Sequence, residues 1–340
     1  MNTINTIEKI KEYYIDNRKL YSVTLELINN CNANCIHCYL DKNTISIKKN
    51  KVFELLDNLR DLGVFEIKLT GGEIMMREDI NEIIKYARKK QFRLILLSNL
   101  TLLNERTIGV ISKYYVDQVE TTIFSLNEET NDGFMRNPGG LKNTLSNINL
   151  LLNMNIEVLV KTWIMKFNFH EMEYMKSYFE NIGCRFQAHT QIYPDVNGKM
   201  KLESKMKLSN DMICSAQHFS DNTQNREFPL SYNDNDLQCK EFSNSLYISA
   251  NGDVFPCVKF RTKIGNIYSS SISDIWTKSK DLRKIQNIKI QDSKECINCK
   301  IKKYCVRCGA MSYIYGGDFL DNNEKTCEIA KIRRKIYENL

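Results

Sequence analysis

The sequence contains few of the residues that break or loosen a chain, with four prolines and 14 glycines among 340 residues. Disordered and low-complexity chains are usually rich in such residues, so this composition predicts a folded protein. No apolar run reaches the length of a membrane span, and the first twenty residues are too polar for a signal peptide. We therefore expect a cytoplasmic protein that does not bind membranes.

An excess of charge of one sign is also lacking, because a net charge of +7 is mild for this length. The lysines are scattered, and the short basic runs at 48–51 and 331–335 are typical of solvated helix faces. The basic residues do not form a stripe of the kind that binds nucleic acids, so we expect no nucleic-acid partner. A modest attraction for an acidic peptide remains open.

Cysteine, by contrast, is abundant, with twelve residues. Without an export signal, cysteines in a reducing compartment are more often metal ligands than disulfides. Ten of them fall into two groups, between positions 31 and 38 and between 239 and 327, whereas Cys184 and Cys214 lie apart.

The first group, Cys31, Cys35 and Cys38, has the spacing C-x3-C-x2-C and follows the alternating run 22–28, which predicts a strand. Three thiolates on one tight loop can hold three irons of a [4Fe–4S] cluster and leave the fourth iron open. A zinc knuckle is the alternative, but zinc needs a fourth ligand, and His37 lies inside the loop at an unfavourable spacing.

Strands and amphipathic helices then alternate six times up to residue 192, which predicts βαβ units and a parallel sheet. Six units indicate an α/β fold with a partial (β/α)6 TIM-like barrel. Composition divides the chain into an N-terminal helix (1–20), the barrel (21–194), a bridging region (195–236) and a small cysteine-rich domain with a β-hairpin and short helices (237–340).

Function in parallel α/β architectures belongs at the carboxyl ends of the strands. Those ends are followed here by polar or glycine residues, and the loop before the fourth helix adds a cation. The candidate residues are Gly71, Gly72, Glu73, Asn99, Ser125 and Arg136. Paired glycines permit positive φ and close backbone approach to a ligand. Ordinary caps and turns are an equally good interpretation of Asn99, Ser125 or Arg136 taken singly.

The series as a whole resembles the radical S-adenosylmethionine (SAM) enzymes: C-x3-C-x2-C followed by Tyr39, then Gly-Gly-Glu, then a strand-end serine. The resemblance implies that the three loop cysteines bind the active cluster and that Gly71, Gly72 and Glu73 bind the methionine amino group. It further implies that Asn99 lies near the nucleoside, Ser125 near the ribose or carboxylate, and Arg136 at a basic position. Ile74 replaces the usual proline, which affects loop rigidity.

The second cysteine group resembles the SPASM extension of these enzymes, which carries two auxiliary iron–sulfur clusters, although zinc ribbons are an alternative for C-x2-C pairs alone. The implied outer cluster has the ligands Cys296, Cys299, Cys305 and Cys327. The implied inner cluster has the ligands Cys239, Cys257 and Cys308. Cys308 departs from the family pattern because two residues, not three, separate it from Cys305, and Ser245 stands where some relatives have a fourth ligand. Either Cys214 or Cys184 completes it, or one iron is open to a substrate thiolate.

The two resemblances predict a peptide maturase with three [4Fe–4S] clusters and SAM. Such an enzyme makes a 5′-deoxyadenosyl radical and forms a thioether or carbon–carbon crosslink, epimerises, or oxidises a residue of a ribosomally made precursor peptide. Cys214 is a candidate hydrogen-atom donor for epimerisation. The expected partners are the precursor and an electron donor such as flavodoxin or ferredoxin. If a leader peptide is recognised, either a separate leader-peptide-binding protein or the barrel itself binds it. An anaerobic sulfatase maturase, a small-molecule radical dehydrogenase and a non-enzymatic zinc or iron–sulfur module are the alternatives.

Overall fold

The computed structural model describes residues 3–40, 43–192, 206–231, 233–260 and 262–338. Its strands are β1 (Ser22–Glu26), β2 (Glu66–Thr70), β3 (Arg93–Leu97), β4 (Gln118–Thr122), β5 (Glu157–Trp163), β6 (Arg185–His189), β7 (Ser245–Ile248), β8 (Asp253–Phe255) and β9 (Gly265–Asn266). Its helices are α1 (Thr3–Asp16), α2 (Lys49–Asp61), α3 (Ile80–Lys89), α4 (Glu105–Lys113), α5 (Glu128–Met135), α6 (Gly140–Asn153), α7 (Met172–Asn181), α8 (Asn210–Thr223), α9 (Lys240–Asn244), α10 (Ile272–Lys278), α11 (Lys280–Gln286), α12 (Lys294–Ile297), α13 (Gly309–Gly316) and α14 (Glu324–Tyr337). None of these helices is long and apolar enough to cross a bilayer.

The strands form one sheet in the order β6-β5-β4-β3-β2-β1-β7-β8-β9. The first six strands are parallel neighbours in sequence order, as a partial (β/α)6 barrel requires, so the predicted fold class is confirmed. The predicted hairpin is β7–β8, and Gly252 has a φ of +86° in its turn. This hairpin does not stand apart, because β7 pairs in parallel with β1 and extends the barrel sheet.

The two faces of the sheet differ in polarity because side chains alternate along each strand. On one face, residues such as Leu25, Leu69 and Leu96 are buried in the main apolar core, together with residues of α2, α3 and α6. The opposite face carries Glu26 and Glu120 among other polar side chains. The helices cover the apolar face, so the polar face lines the inside of the partial barrel.

The predicted bridging region contains a helix that the sequence pattern does not reveal. Helix α8 packs against β6 and α14. In the last turn of α8, Asp221 is fully buried and accepts hydrogen bonds from Nε of Arg333 at 2.9 Å and from Nη2 at 2.7 Å, both from α14. This buried ion pair joins the end of the barrel to the C-terminal domain. Residues 195–205 and 232 of the predicted bridge, like 193–194 of the predicted barrel, lie outside the described residues.

Candidate active site

The first cysteine loop leaves the carboxyl end of β1 and is held by backbone hydrogen bonds from both sides. The N–H groups of Asn34 and Ile36 donate to carbonyl oxygens at the end of α5, at 3.0 and 3.1 Å. On the other side, the N–H of Gly72 donates to Ile28 O at 2.7 Å, and that of Glu73 donates to Asn30 O at 2.9 Å. The loop holds Cys31, Cys35 and Cys38 half-buried, next to the β2 end.

The paired glycines are required by the loop itself. A Cβ on Gly71 would lie 2.4 Å from Ile28 O, and one on Gly72 would lie 2.2 Å from Asn30 O. Neither glycine has a positive φ, so that part of the prediction is wrong. In the structure these glycines approach the backbone of the cysteine loop closely, and their predicted approach to a ligand stays a prediction.

Glu73 is fully buried between the ends of β2 and β3. Its Oε1 accepts from the Met75 N–H at 2.9 Å and from Ser98 Oγ at 2.7 Å, and its Oε2 accepts from the Asn99 N–H at 2.7 Å. Burial raises the pKa of Glu73, while these hydrogen bonds act in the opposite direction. Among the described residues, no lysine or arginine forms an ion pair with it. A buried carboxylate with donors but no cation suits a ligand ammonium group.

Asn99 lies between Glu73 and the cysteine loop. Its Nδ2 donates to Asn32 Oδ1 at 2.9 Å and lies 3.9 Å from the Cys31 sulfur. Its Oδ1 accepts from the hydroxyl of Thr101 at 2.7 Å, which in turn receives Nδ2 of Asn32 at 2.8 Å. The side chain therefore orients the loop that carries the first cysteine. Its predicted contact with a nucleoside stays a prediction.

Ser125 and Arg136 occupy different environments. Ser125 is fully buried, and its Oγ donates to both carboxylate oxygens of Glu171 at 2.8 Å. The sequence pattern did not single out Glu171, which precedes α7 and ties it to the end of β4. Arg136 is exposed at the end of α5, where it adopts a left-handed conformation with a φ of 50°. Their roles toward SAM stay predictions.

Three C-terminal cysteines meet in an apolar cluster. Cys239, Cys257 and Cys308 pack against Phe242, Phe260, Ile285 and Ala310. Burial raises the pKa of Cys239 to about 11 and that of Cys257 to about 12, and the proximity of Cys308 raises both further. Within the described part of the chain, no fourth cysteine is packed with these three, which are the predicted inner set.

The remaining four cysteines also influence one another. Burial raises the pKa of Cys305 to about 12, with contributions from Cys327 and Cys296. Burial likewise raises the pKa of Cys296, the Arg307 guanidinium lowers it, and Cys327 and Cys299 raise it. The structure therefore brings together the four residues of the predicted outer set.

The two isolated cysteines are separate from these sets. Cys184 is 5% exposed within the main apolar core, and burial raises the pKa of its thiol to about 12, so it is a packing residue. It is not placed to complete the inner set. Cys214 lies half-buried on α8 and is not among the residues packed around the inner cysteines.

Ionic side chains inside the barrel were missed by the sequence analysis. Lys161 forms an ion pair with Glu120, and Glu66 pairs with Arg93 and, at 3.4 Å, with Lys68. The alternation of charged and apolar residues along β2, β4 and β5 is the sequence pattern from which these ionic residues could have been predicted. These pairs line the inside of the barrel below the strand ends.

Two large side chains continue this lining at the strand ends. Trp163 and His189 lie side by side at the ends of β5 and β6, with ring centroids 5.2 Å apart. Burial, followed by the Lys161 charge, lowers the pKa of His189 to about 4, so its imidazole is neutral near pH 7. The mouth of the barrel is therefore aromatic and uncharged at this point.

Comparison with known proteins defines the class. The radical SAM superfamily model matches residues 25–180, and an iron–sulfur cluster-binding domain model (SPASM) matches residues 239–300. The chain is therefore a radical SAM enzyme with a SPASM domain, as the cysteine patterns predicted, and the non-enzymatic alternative is set aside.

Several relatives fit within that class. An AdoMet-dependent heme synthase of Methanosarcina barkeri is 25% identical over 331 residues, which cover 88% of this chain and 94% of that protein. The antilisterial bacteriocin subtilosin biosynthesis protein AlbA of Bacillus subtilis is 26% identical over 298 residues, covering 84% and 66%. The structure of Streptococcus suis SuiB bound to S-adenosylmethionine matches with a TM-score of 0.73 at 15% identity, covering 96% and 83%, and shows the same fold.

The donor atoms of the three sets fit iron–sulfur clusters. Within the described ranges, no three cysteine, histidine or acidic side chains converge as ligands of a single metal ion would. A [4Fe–4S] cluster instead takes one thiolate on each iron, so its ligands are spread around the cluster. The two domains thus imply that the enzyme binds iron–sulfur clusters and SAM.

Proposed function

We propose that this enzyme is a peptide maturase acting on a ribosomally made precursor. The observation that supports this most is the inner set of three thiols. A [4Fe–4S] cluster held by three cysteines has one iron open to an external ligand, and a cysteine thiolate of a peptide is a suitable one. The set packs against an apolar cluster, which would shield such a contact from water. The likeness to AlbA, a bacteriocin biosynthesis protein, supports the same substrate class.

In this proposal, Cys31, Cys35 and Cys38 hold the active cluster, the inner set holds the second cluster and the outer set the third. When bound, the active cluster and SAM supply the radical that abstracts hydrogen from the substrate. The fully buried Glu73 receives the SAM ammonium group, and its three hydrogen bonds fix the carboxylate in place. Asn99 keeps the cysteine loop in register with that carboxylate.

The polar barrel interior holds the substrate segment in this proposal. The Lys161–Glu120 pair offers a donor and an acceptor side by side, which suits peptide amides better than a single-sign charge would. Trp163 provides an apolar face at the mouth. Arg136, exposed at the end of α5, is available for a carboxylate of SAM or substrate. A flavodoxin or ferredoxin supplies the electron, and a separate protein presents the leader.

A second candidate function follows from a different observation. The heme synthase from Methanosarcina barkeri aligns with 88% of this chain, slightly more than AlbA does. A porphyrin substrate is a rigid macrocycle with carboxylate arms, which calls for cationic partners. The ion pairs of the barrel interior pair each cation with an anion, so they favour a peptide over a porphyrin as the substrate.

One experiment separates the two functions. The enzyme, reconstituted anaerobically with iron and sulfide, is incubated with SAM and dithionite. The substrates are the peptides encoded by short reading frames beside its gene or an iron porphyrin with carboxylate arms. A peptide maturase will release 5′-deoxyadenosine and change the peptide mass, and the porphyrin will be left intact. A porphyrin product without any peptide product would overturn the proposal.

The cluster assignment has its own control. Replacing Cys31, Cys35 and Cys38 with alanine is expected to remove about four irons and all SAM cleavage while the other clusters persist. Continued formation of 5′-deoxyadenosine by this variant would show that the active cluster lies elsewhere.

A further inference from the structure

One cation is fixed directly against the outer cysteine set. Arg307 donates from Nη1 to the sulfur of Cys296. Its Nη2 donates to three successive carbonyl oxygens, those of Phe319 at 3.1 Å, Leu320 at 2.8 Å and Asp321 at 2.9 Å. Four contacts hold the half-buried guanidinium in one position, so its charge cannot move away from the thiolate.

The inner set has a different environment. Cys239, Cys257 and Cys308 are surrounded by the apolar and aromatic residues of their cluster. The sulfurs of Cys239 and Cys257 accept hydrogen bonds from backbone N–H groups, those of Glu241 and Phe242 and those of Lys259 and Phe260. The outer set therefore has a guanidinium bonded directly to one of its sulfurs, whereas backbone groups supply these hydrogen bonds in the inner set.

We propose that Arg307 raises the reduction potential of the outer cluster. Reduction adds one electron to the cluster, so a nearby fixed cation stabilises the reduced form more than the oxidised form. Hydrogen bonds to cluster sulfurs and net charge are established means by which proteins set this potential. Arg307 acts through the Cys296 thiolate and is thus a positioning residue. This inference rests on the proposed binding of a cluster by the outer set.

The test is a redox titration of the full-length protein with the active cluster removed by the triple alanine substitution. The one-electron reduction of the outer cluster is followed by electron paramagnetic resonance. Arg307→Gln is expected to shift the equilibrium at least tenfold toward the oxidised form, about 59 mV for one electron. Arg307→Lys, which retains the charge, is expected to shift it less. The inner cluster is expected to keep its potential in both variants.

Lys303→Gln is the matched control. It removes a positive charge from the same segment, but Lys303 pairs with Glu338 at 3.6 Å and forms no recorded bond to a cysteine. Its potential is expected to stay at the wild-type value. A purely structural role of Arg307 would lower thermal stability or iron content without moving the potential. An unchanged potential in Arg307→Gln would therefore overturn the proposal.

A second variant decides the matter if Arg307→Gln does not retain the cluster. Glu295, exposed next to Cys296, acts on that thiol with the opposite sign. Glu295→Gln is expected to raise the outer potential, and no rise would contradict the role of local charge. Iron analysis of the wild type tests separately whether the outer set binds a cluster. Absence of that cluster in the wild type would refute the cluster assignment and not the role of Arg307.

Discussion

Replacing Glu73 with glutamine tests the SAM site most directly. The carboxyl group is fully buried and accepts three hydrogen bonds, so it is held in one position beside the cysteine loop. A charge-assisted hydrogen bond to a ligand ammonium contributes roughly 1.5–3 kcal/mol. Losing it should raise the dissociation constant of SAM by a factor of about 10 to 150. The iron content should not change, because Glu73 holds no cluster in this assignment.

The substitution also has a structural cost that needs a control. A glutamine Oε1 can keep the donors Met75 and Ser98, but its Nε2 would then face the Asn99 N–H, donor against donor. Ser98→Ala removes one hydrogen bond from the same carboxylate and leaves the charge. Both variants should lose thermal stability, and only Glu73→Gln should lose most of its affinity for SAM in anaerobic equilibrium dialysis. Equal affinities in the two variants would refute the ammonium contact.

The pH dependence gives an independent check of the same group. Burial raises the pKa of Glu73 above its unfolded value, so the folded state holds the proton more tightly. Its contribution to stability is therefore present at low pH and is lost as the pH rises through the folded pKa. SAM binding has the opposite dependence, because the ammonium needs the ionised carboxylate. Affinity should fall on acidification at a higher pH than an exposed glutamate would give, and Glu73→Gln should abolish that dependence.

Three further substitutions test other parts of the structure. Gly72→Ala places a Cβ against Asn30 O, so it should displace the cysteine loop and lower the iron content by about four atoms; full iron content would contradict this packing. Asp221→Asn breaks a buried ion pair with Arg333 and should cost about 3–5 kcal/mol, seen as a lower urea midpoint. Cys214→Ala should retain all clusters and hydrogen abstraction, and loss of only the epimerised product would identify Cys214 as the hydrogen-atom donor.

The barrel strands and most helices could be predicted because apolar spacing is a local property. Two helices before the C-terminal domain escaped because at least half of their buried positions are polar. Helix α5 buries Asn131 and Asp132, and Asn131 accepts the Phe124 N–H at 3.0 Å. Helix α8 buries Gln217 and Asp221 through hydrogen bonds and the ion pair with α14. Hydrophobic periodicity cannot detect helices whose inner faces are held by polar contacts.

The candidate site likewise has features that could be predicted from the sequence and features that depend on the fold. The spacing of Cys31, Cys35 and Cys38 is local, and the grouping of the C-terminal cysteines came from a family resemblance, so the three proposed ligand sets could be inferred from the sequence. The carboxylate of Glu171 reaches Ser125 from another βα unit, and only the fold brings these two together. The attachment of β7 to β1 is equally non-local, since a strand pattern does not tell which sheet edge it joins.

That attachment has a consequence for the growing chain. Ser22 of β1 pairs with Ser245 of β7, and Glu26 receives the Tyr247 hydroxyl and, at 3.1 Å, the Ala250 N–H. During synthesis, β1 is made early and waits for its second neighbour until most of the chain has emerged. An unpaired strand edge invites aggregation in the interval. Because the first cysteine loop begins where β1 ends, that loop lies beside an unpaired strand edge until β7 is in place.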